Sequence, residues 1–319
     1  MNKSLLTPTP ATVAVEIARH RVSAASIIPR DAGLSVASHA MEPLAPGAVV
    51  PTLNDVNIAD PNAVGAALRG LFERMGIKPK RVALAIPDSV AKVSLLRFEK
   101  APDRARDLEE LIRWQIRKSA PFRIEDAQVT FVPGLKTPGG GAEFVVVMAR
   151  KDVIREYEAV CESAGAQAGI VDLSTFNVIN SVLAGSQAPS DDWLLVNFTQ
   201  DDATTAILRG RELVFFRNRT ADGEAGLADL VHQTAMYYED RLSGTGFKQV
   251  VLAGAASPTG HGGKDAEYLR RALEQRLAVK VDPIDPRGAA ALTDRLTPNA
   301  ELLDALAPLV GLLARERAA

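Results

Sequence analysis

Arg81-Val-Ala-Leu-Ala-Ile-Pro87 is a short, continuous apolar run closed by a proline. A strand buried on both faces of a sheet reads this way, because neither row of its alternating side chains meets water. Upstream of it, Val13–Ile17, Val22–Ile28 and Leu34–His39 read as three strands, with turn chemistry at Arg19–Arg21 and Asp31–Gly33. A proline-rich loop, Pro43–Pro51, leads to a helix over Pro61–Gly76. Asp60 caps that helix, Pro61 suits its first turn, Gly76 ends it, and Val64, Leu68, Leu71 and Phe72 give it one apolar face. The opening segment is therefore β-β-β-α-β.

Downstream, the pattern changes to that of a separate unit. Val93–Phe98 reads as a strand and Asp103–Ser119 as a helix, with Leu108, Leu111, Ile112 and Ile116 on one face and Glu109 and Arg113 outside. Val129–Val132 and Phe144–Met148 are strands around a glycine-rich hairpin tip, Thr137–Gly141, and Asp152–Ala164 is a helix ended by Gly165. Gly169–Leu173 and the helix Ser174–Leu183, capped by Ser174 or Thr175, return to the first pattern. The polar stretch Gly185–Asp192, with Pro189, is the candidate hinge.

The second half then repeats the order of the first. Trp193–Phe198, Ala203–Leu208 and Glu212–Arg217 are three strands, followed by a helix over Glu224–Leu242 and a strand at Gln249–Ala253. A helix over Lys264–Leu277, an edge strand at Val279–Val281 and a closing helix at Glu301–Arg315 complete it. Two halves that open alike predict an internal structural duplication and a two-lobed α/β protein. The division is 1–90 for the first lobe, 91–165 for an inserted β-α-β-β-α unit, 166–188 for the return, and 189–319 for the second lobe.

Composition bounds the function. The 319 residues are 47% hydrophobic and 24% charged, values of a globular chain long enough for more than one core. A net charge of -2 without a Lys/Arg cluster gives no electrostatic case for nucleic acid or for an anionic lipid surface. The single cysteine, Cys161, cannot form an internal disulfide, and reads as a buried structural thiol in a reducing compartment. The N-terminus runs to Thr7-Pro-Thr-Pro10 without the apolar stretch of a secretion signal, and no window is apolar enough for a membrane helix. Work at a membrane would require another protein to hold this one there.

Most catalytic patterns fail on their chemistry. Gly260-His-Gly-Gly-Lys264 is no phosphate loop, because Pro258 stands where a glycine is needed and Asp265 follows the lysine. His20, His39, His232 and His261 have no metal-ligand spacing, so neither a metal site nor a catalytic residue is predicted. Three other places carry more: the turn Glu16–Arg21, its counterpart Asn197–Thr205, and the segment Val250–Ser257. Two facing hairpin turns can grip a phosphate chain through backbone N–H groups, with an acid in each lobe for metal and water. That arrangement belongs to the actin, Hsp70 and sugar kinase superfamily.

Val82-Ala-Leu-Ala-Ile-Pro-Asp-Ser89, Leu95–Phe98, Asp107–Ile112, Ala120-Pro-Phe122 with Glu125-Asp-Ala127, and Val171-Asp-Leu-Ser174 together resemble the PilM family of type IV pilus assembly. Gly226–Val231, Tyr237-Tyr238, Val250–Gly254 and Leu306–Leu312 resemble its second lobe and closing helix. The resemblance implies an actin-like (ASKHA, ribonuclease H-like) fold with an inserted subdomain of the type found in the division protein FtsA. It implies a cytoplasmic scaffold, peripheral at the inner membrane, bound to the N-terminal tail of a PilN-like membrane protein and working with other platform and motor proteins. The groove for that tail would be walled by Pro87, Ser89 and Val93 on one side and Leu108, Leu111, Ile112 and Gln115 on the other. ATP with magnesium is the implied cofactor, and the remnants of its site are Glu16, Ala18, Arg19, Asn197, Thr199, Gly254 and Ala255.

The departures from the family pattern weigh against catalysis. Family members carry Asp-Ile-Gly turns where this chain has Glu16-Ile-Ala-Arg19 and Asn197-Phe-Thr199. A Cβ at Ala18 blocks close approach of backbone to phosphate, and an amide at Asn197 cannot act as a carboxylate base. The reading is an interaction protein rather than an enzyme. Two alternatives stand beside it. One is the cytoplasmic part of a GspL-like type II secretion protein, a family that continues into a membrane helix. The other is an active ATP-dependent phosphotransferase, for which Asp88 and Asp172 are the acids near strand ends and for which helix caps are the plainer role.

Overall fold

The computed structural model describes residues 10–30, 33–136, 141–185, 188–199, 202–220, 223–256 and 262–318. The first half runs β1 (Val13–Ile17), β2 (Arg21–Arg30), β3 (Gly33–Pro43), α1 (Pro61–Arg74), β4 (Arg81–Ile86), β5 (Ala91–Phe98), α2 (Ala105–Arg117), β6 (Ala127–Lys136), β7 (Ala142–Arg150), α3 (Lys151–Ser163), β8 (Gln167–Leu173) and α4 (Ser174–Leu183). The second runs β9 (Asp192–Phe198), β10 (Asp202–Arg209), β11 (Glu212–Thr220), α5 (Gly223–Leu242), β12 (Gln249–Ala253), α6 (Gly262–Leu277), β13 (Val281–Pro283), β14 (Ala291–Leu292) and α7 (Ala300–Ala318).

The two main sheets repeat one topology. The first has the order β14-β3-β2-β1-β4-β8 and the second β11-β10-β9-β12-β13. In each, an antiparallel three-stranded meander is followed by strands parallel to its first member: β4 along β1, and β12 along β9. The duplication expected from element order is thus present at the level of the sheets. β14, only two residues long, was not anticipated, and it pairs with β3 of the other half. β13 begins two residues later than expected, after Ala278 turns the chain with a φ of 52°.

β4 shows why the opening run is continuous. Its residues alternate in size: Val82, Leu84 and Ile86 face α1 and α3, whereas Ala83 and Ala85 face α7. Each large side chain buried on the first face contributes about 1.5–3 kcal/mol. Ala14, Ala25, Ala83 and Ala85 make the other face shallow, so α7 can lie close on it through Leu306, Leu309, Val310 and Leu313. α7 therefore closes the first lobe, although it was expected as part of the second. Its approach to α4 depends on Gly311, where a Cβ would stand 1.7 Å from the Asn177 carbonyl oxygen.

α3 is a second case of packing overriding sequence neighbourhood. It was expected as the last element of the inserted unit, yet Val153, Tyr157, Val160 and Cys161 pack into the core of the first sheet. The inserted sheet, β5-β7-β6, is instead covered by α2 through Ile112 and Ile116, against Val129, Phe144, Val146 and Met148. A further core joins the lobes: Val178 and Ile179 of α4 meet Trp193, Leu195, Ala206, Leu208 and Val251 of the second sheet. The candidate hinge lies partly outside the described residues, as do the hairpin tip at 137–140 and the start of the Gly260–Lys264 segment, Gly260 and His261.

Candidate functional site

The strand ends of the two sheets meet across a cleft. Glu16, Ala18, Arg19, Asn197, Thr199 and Gly254, six of the seven residues expected around a phosphate chain, line this one cavity. Ala255 is buried in the second-lobe core instead. The turn that brings Ala18 and Arg19 there is tight, closed by the Ala18 N–H donating to the Arg21 carbonyl at 2.9 Å.

The polar groups of the cleft are engaged with one another. Asp88 lies in the short 3-10 turn after β4 and is buried. Its carboxylate accepts from the Thr175 N–H at 3.1 Å, from the Thr175 hydroxyl, and from the Thr204 hydroxyl of the second lobe at 2.7 Å. Each hydroxyl is in turn an acceptor: Thr175 from Asn197 Nδ2 at 2.7 Å, and Thr204 from Asn218 Nδ2 at 2.9 Å. Asn197, Thr204 and Asn218 form one cross-strand row on β9, β10 and β11. Ser89 adds a bond to Asp202 at 3.3 Å. The lobes are therefore bridged across the cleft by side-chain hydrogen bonds.

Two further carboxylates are held similarly. Glu16 accepts from the Ser174 hydroxyl, from Arg21 at 3.2 Å and from Ser23 at 3.3 Å. Asp304 on α7 accepts from the N–H groups of Gly254 at 2.9 Å and Ala256 at 2.6 Å. Burial raises Asp88 and Asp304 each from 3.8 to about 6, against the hydrogen bonds they accept. Burial, with Arg21 nearby, lowers His39 to about 4. Gly254 is required by its own lobe: with φ at +80°, a Cβ there would lie 2.2 Å from the Phe198 carbonyl oxygen. The space left between the lobes is about 90 Å³, against roughly 300–1,000 Å³ for sites of drug-sized ligands. Among the described residues, no group of three or more His, Cys, Asp or Glu is placed to hold a metal ion.

The seven residues expected to wall a tail groove are distributed over three places. Pro87 lines the cleft and Ser89 bonds within it. Val93 packs on the lobe-facing side of the inserted sheet. Leu108 and Ile112 belong to the core between α2 and that sheet, Leu111 is half-buried, and Gln115 is exposed. The physical reason is that α2 covers the face carrying Leu96, Phe98, Phe144, Val146 and Met148, whereas the first lobe meets the other.

On that other face a groove of about 560 Å³ runs between the inserted sheet and the first lobe. One wall is Gln128, Thr130, Val147 and Ala149, another is Lys151, Ile154, Arg155 and Glu158 of α3, and the third is the consecutive run 168–173 of β8. Alternating side chains of a strand point to opposite faces, so six consecutive residues line a groove only through the strand's edge. β8 is indeed the last strand of its sheet, and no strand among the described residues pairs with its outer side. The sequence signal for this was the position of Gly169–Leu173 as the fifth strand in a known strand order, which becomes readable only once the order is known.

No helix among the described residues is long and apolar enough to cross a membrane. The sequence profile described as type IV pilus assembly protein PilM matches residues 14–243. No curated protein matches the sequence significantly. Among solved structures, one described as the PilM-PilN type IV pilus biogenesis complex is similar at a TM-score of 0.79 and 18% identity, covering 96% of this chain and 98% of that one. Ethanolamine utilization protein EutJ from Carboxydothermus hydrogenoformans aligns at a TM-score of 0.51 and 10% identity, over 97% of this chain and 90% of its own. A Bacteroides thetaiotaomicron protein with an actin-like ATPase fold and unknown function gives 0.49 and 12%, over 85% and 90%. The fold is the actin-like fold, with its two duplicated sheets and an inserted third.

Proposed function

The chain belongs to the type IV pilus assembly PilM family, and on that premise we propose that it is a scaffold of the pilus assembly platform that binds the N-terminal tail of a PilN-like membrane protein. It works in the cytoplasm, held at the inner membrane by that partner, and passes assembly state to other platform and motor proteins. The observation that carries this reading is the groove along β8: a strand edge with no partner strand among the described residues, beside a wall of mixed apolar and polar side chains, with volume for an extended segment. An added strand gains main-chain hydrogen bonds from the edge and specificity from the side-chain wall.

In the same reading the interlobe cleft is a decayed nucleotide site. Its acids are engaged by the chain's own hydroxyls and amides, and Asn197 offers no carboxylate. The Thr204–Asp88 and Asn197–Thr175 bonds bridge the lobes directly. ATP and magnesium are therefore not required for the tail to bind.

Fluorescence anisotropy with labelled synthetic N-terminal tails of the PilN-like proteins from the same genome tests the first part. Saturable binding by one tail, unchanged by ATP and magnesium, is the expected result. Absence of binding by every tail would remove the scaffold's mechanism. A titration with a fluorescent ATP analogue tests the second, and tight saturable binding would overturn it.

A further inference from the structure

We propose that the tail groove continues into a neighbouring cation-lined cavity, and that the partner segment carries a carboxylate beside its apolar, strand-forming stretch, received by Lys151 and Arg155. This rests on the tail-binding reading above and names the chemistry of the segment that the groove takes.

The groove along β8 and a second cavity of about 620 Å³ share Lys151 and Arg155 in their linings. The second cavity adds Phe122, Arg123, Asp126, Arg150 and Asp152. Most of its charges are already matched. Arg150 pairs with Asp152, and Arg123 lies 3.6 Å from Asp126 and 3.9 Å from Glu125. Lys151 donates to a neutral acceptor, the Glu125 carbonyl, at 2.8 Å. Neither Lys151 nor Arg155 has an acidic partner within ion-pair distance among the described residues. Elsewhere along the groove the acids differ in status. Asp172 is engaged by Arg315, and Glu158 stands on the wall without a paired cation among the described residues. The cavity end thus presents two uncompensated positive charges, and the groove's apolar lining is Ala91, Val147, Ala149, Ile154, Ala168 and Ile170.

Chain direction places the charge. α3 and β8 are consecutive and joined by the three residues 164–166, so they run in opposite directions, and Lys151 at the start of α3 lies toward Leu173 at the end of β8. A segment pairing parallel to β8 carries its carboxylate after the apolar stretch, and one pairing antiparallel carries it before. A bidentate guanidinium–carboxylate contact at Arg155 then fixes the register of a strand that backbone hydrogen bonds alone leave free to slide.

The experiment uses the full chain, the tail that binds in the assay above, and the same tail with every Asp and Glu replaced by its amide. The carboxylate tail is expected to bind about tenfold more tightly than the amide tail to the parent protein. R155E with K151E is expected to abolish that difference by weakening the carboxylate tail far more than the amide tail; K100E, on the exposed end of the inserted unit, leaves both unchanged. Equal affinity of the two tails for the parent protein, or an equal loss of both with R155E and K151E, overturns the carboxylate while leaving the tail groove intact. Failure of both tails to bind overturns the groove itself. Vesicles containing phosphatidylglycerol are a third arm: co-sedimentation that R155E with K151E abolishes, with no discrimination between tails, would assign the cations to a membrane surface instead.

Discussion

The interlobe cleft and the groove along β8 lie at opposite conditions of hydrogen bonding. In the cleft, Asp88, Glu16 and Asp304 each accept two or three bonds from the chain itself, and about 90 Å³ remains. In the groove, about 560 Å³ adjoins a strand edge with no partner strand among the described residues. Backbone groups that face no partner are obligatory hydrogen-bonding groups waiting for one. Under the proposed function the groove, rather than the cleft, takes the ligand. A fold hands down the place of a site; whether the place still takes a ligand is decided by which polar groups the chain has already satisfied.

The comparison breaks most directly where α7 packs on α4. Gly311→Ala places a methyl 1.7 Å from the Asn177 carbonyl oxygen and 2.7 Å from the Ser181 nitrogen, both backbone. α7 must lift from α4, at a cost of about 3 kcal/mol or more, read as a loss of midpoint in urea unfolding. A near-neutral result would mean that the helices have room to separate, and that the cleft has room to open.

Next in size is the pH response of the bridge between lobes. Asp88 rises from 3.8 to about 6 because burial opposes its charge. The folded state then binds a proton that the unfolded chain has already released. Stability from this group is complete below about pH 4, falls as pH rises toward 6, and is level above it. Between pH 4 and 7 the change is about 2 kcal/mol for Asp88 alone. Asp88→Asn removes that slope, so the difference between parent and variant unfolding profiles isolates it from other acids. A flat difference would show a carboxylate in contact with water, in a cleft that is open.

Thr204 and Thr205, adjacent on β10, sharpen the same point. Thr204 points across the lobes to Asp88, whereas Thr205 meets Thr234 inside the second lobe at 3.0 Å. Thr204→Val deprives a buried carboxylate of one donor and Asn218 of its acceptor, at about 1–3 kcal/mol. Thr205→Val leaves Thr234 bonded to the Leu230 carbonyl and costs about 1 kcal/mol. Hydrogen exchange then separates them further: Thr204→Val loses protection on both sides of the cleft, and Thr205→Val only in the second lobe.

Much of this was readable in the chain, and the reason for the remainder is physical. The run Arg81–Pro87, the capped helix at Asp60 and the repeated strand order carry local signals of period and capping, and they place the sheets. Asp60 does accept from the Ala63 N–H at 2.9 Å. What was not readable depends on distant pairs. Asp88 reads locally as a turn residue, and its partner Thr204 is 116 positions away. Alanines on β1, β2 and β4 look like ordinary strand filler until α7 is found to need their shallow face. The amphipathic helix Leu108–Ile116 invited a role in binding, but its Leu108, Ile112 and Ile116 are consumed by the inserted sheet, and the groove forms on that sheet's opposite face.

The smallest expected effect tests the groove side of the comparison through stability alone. Residues that hold a fold and residues that await a partner differ in what the unliganded protein loses without them. Arg155 is exposed and has no acidic partner within ion-pair distance among the described residues, and Lys151 gives up only a bond to the Glu125 carbonyl at the surface. Both sit beside Arg150, so removing them also relieves like-charge crowding. Lys151→Ala with Arg155→Ala is therefore expected to shift unfolding by no more than about 0.5 kcal/mol, in either direction. A loss well above 1 kcal/mol would mean that these cations already serve the fold, as Asp88 does, and the difference between the satisfied cleft and the waiting groove would disappear.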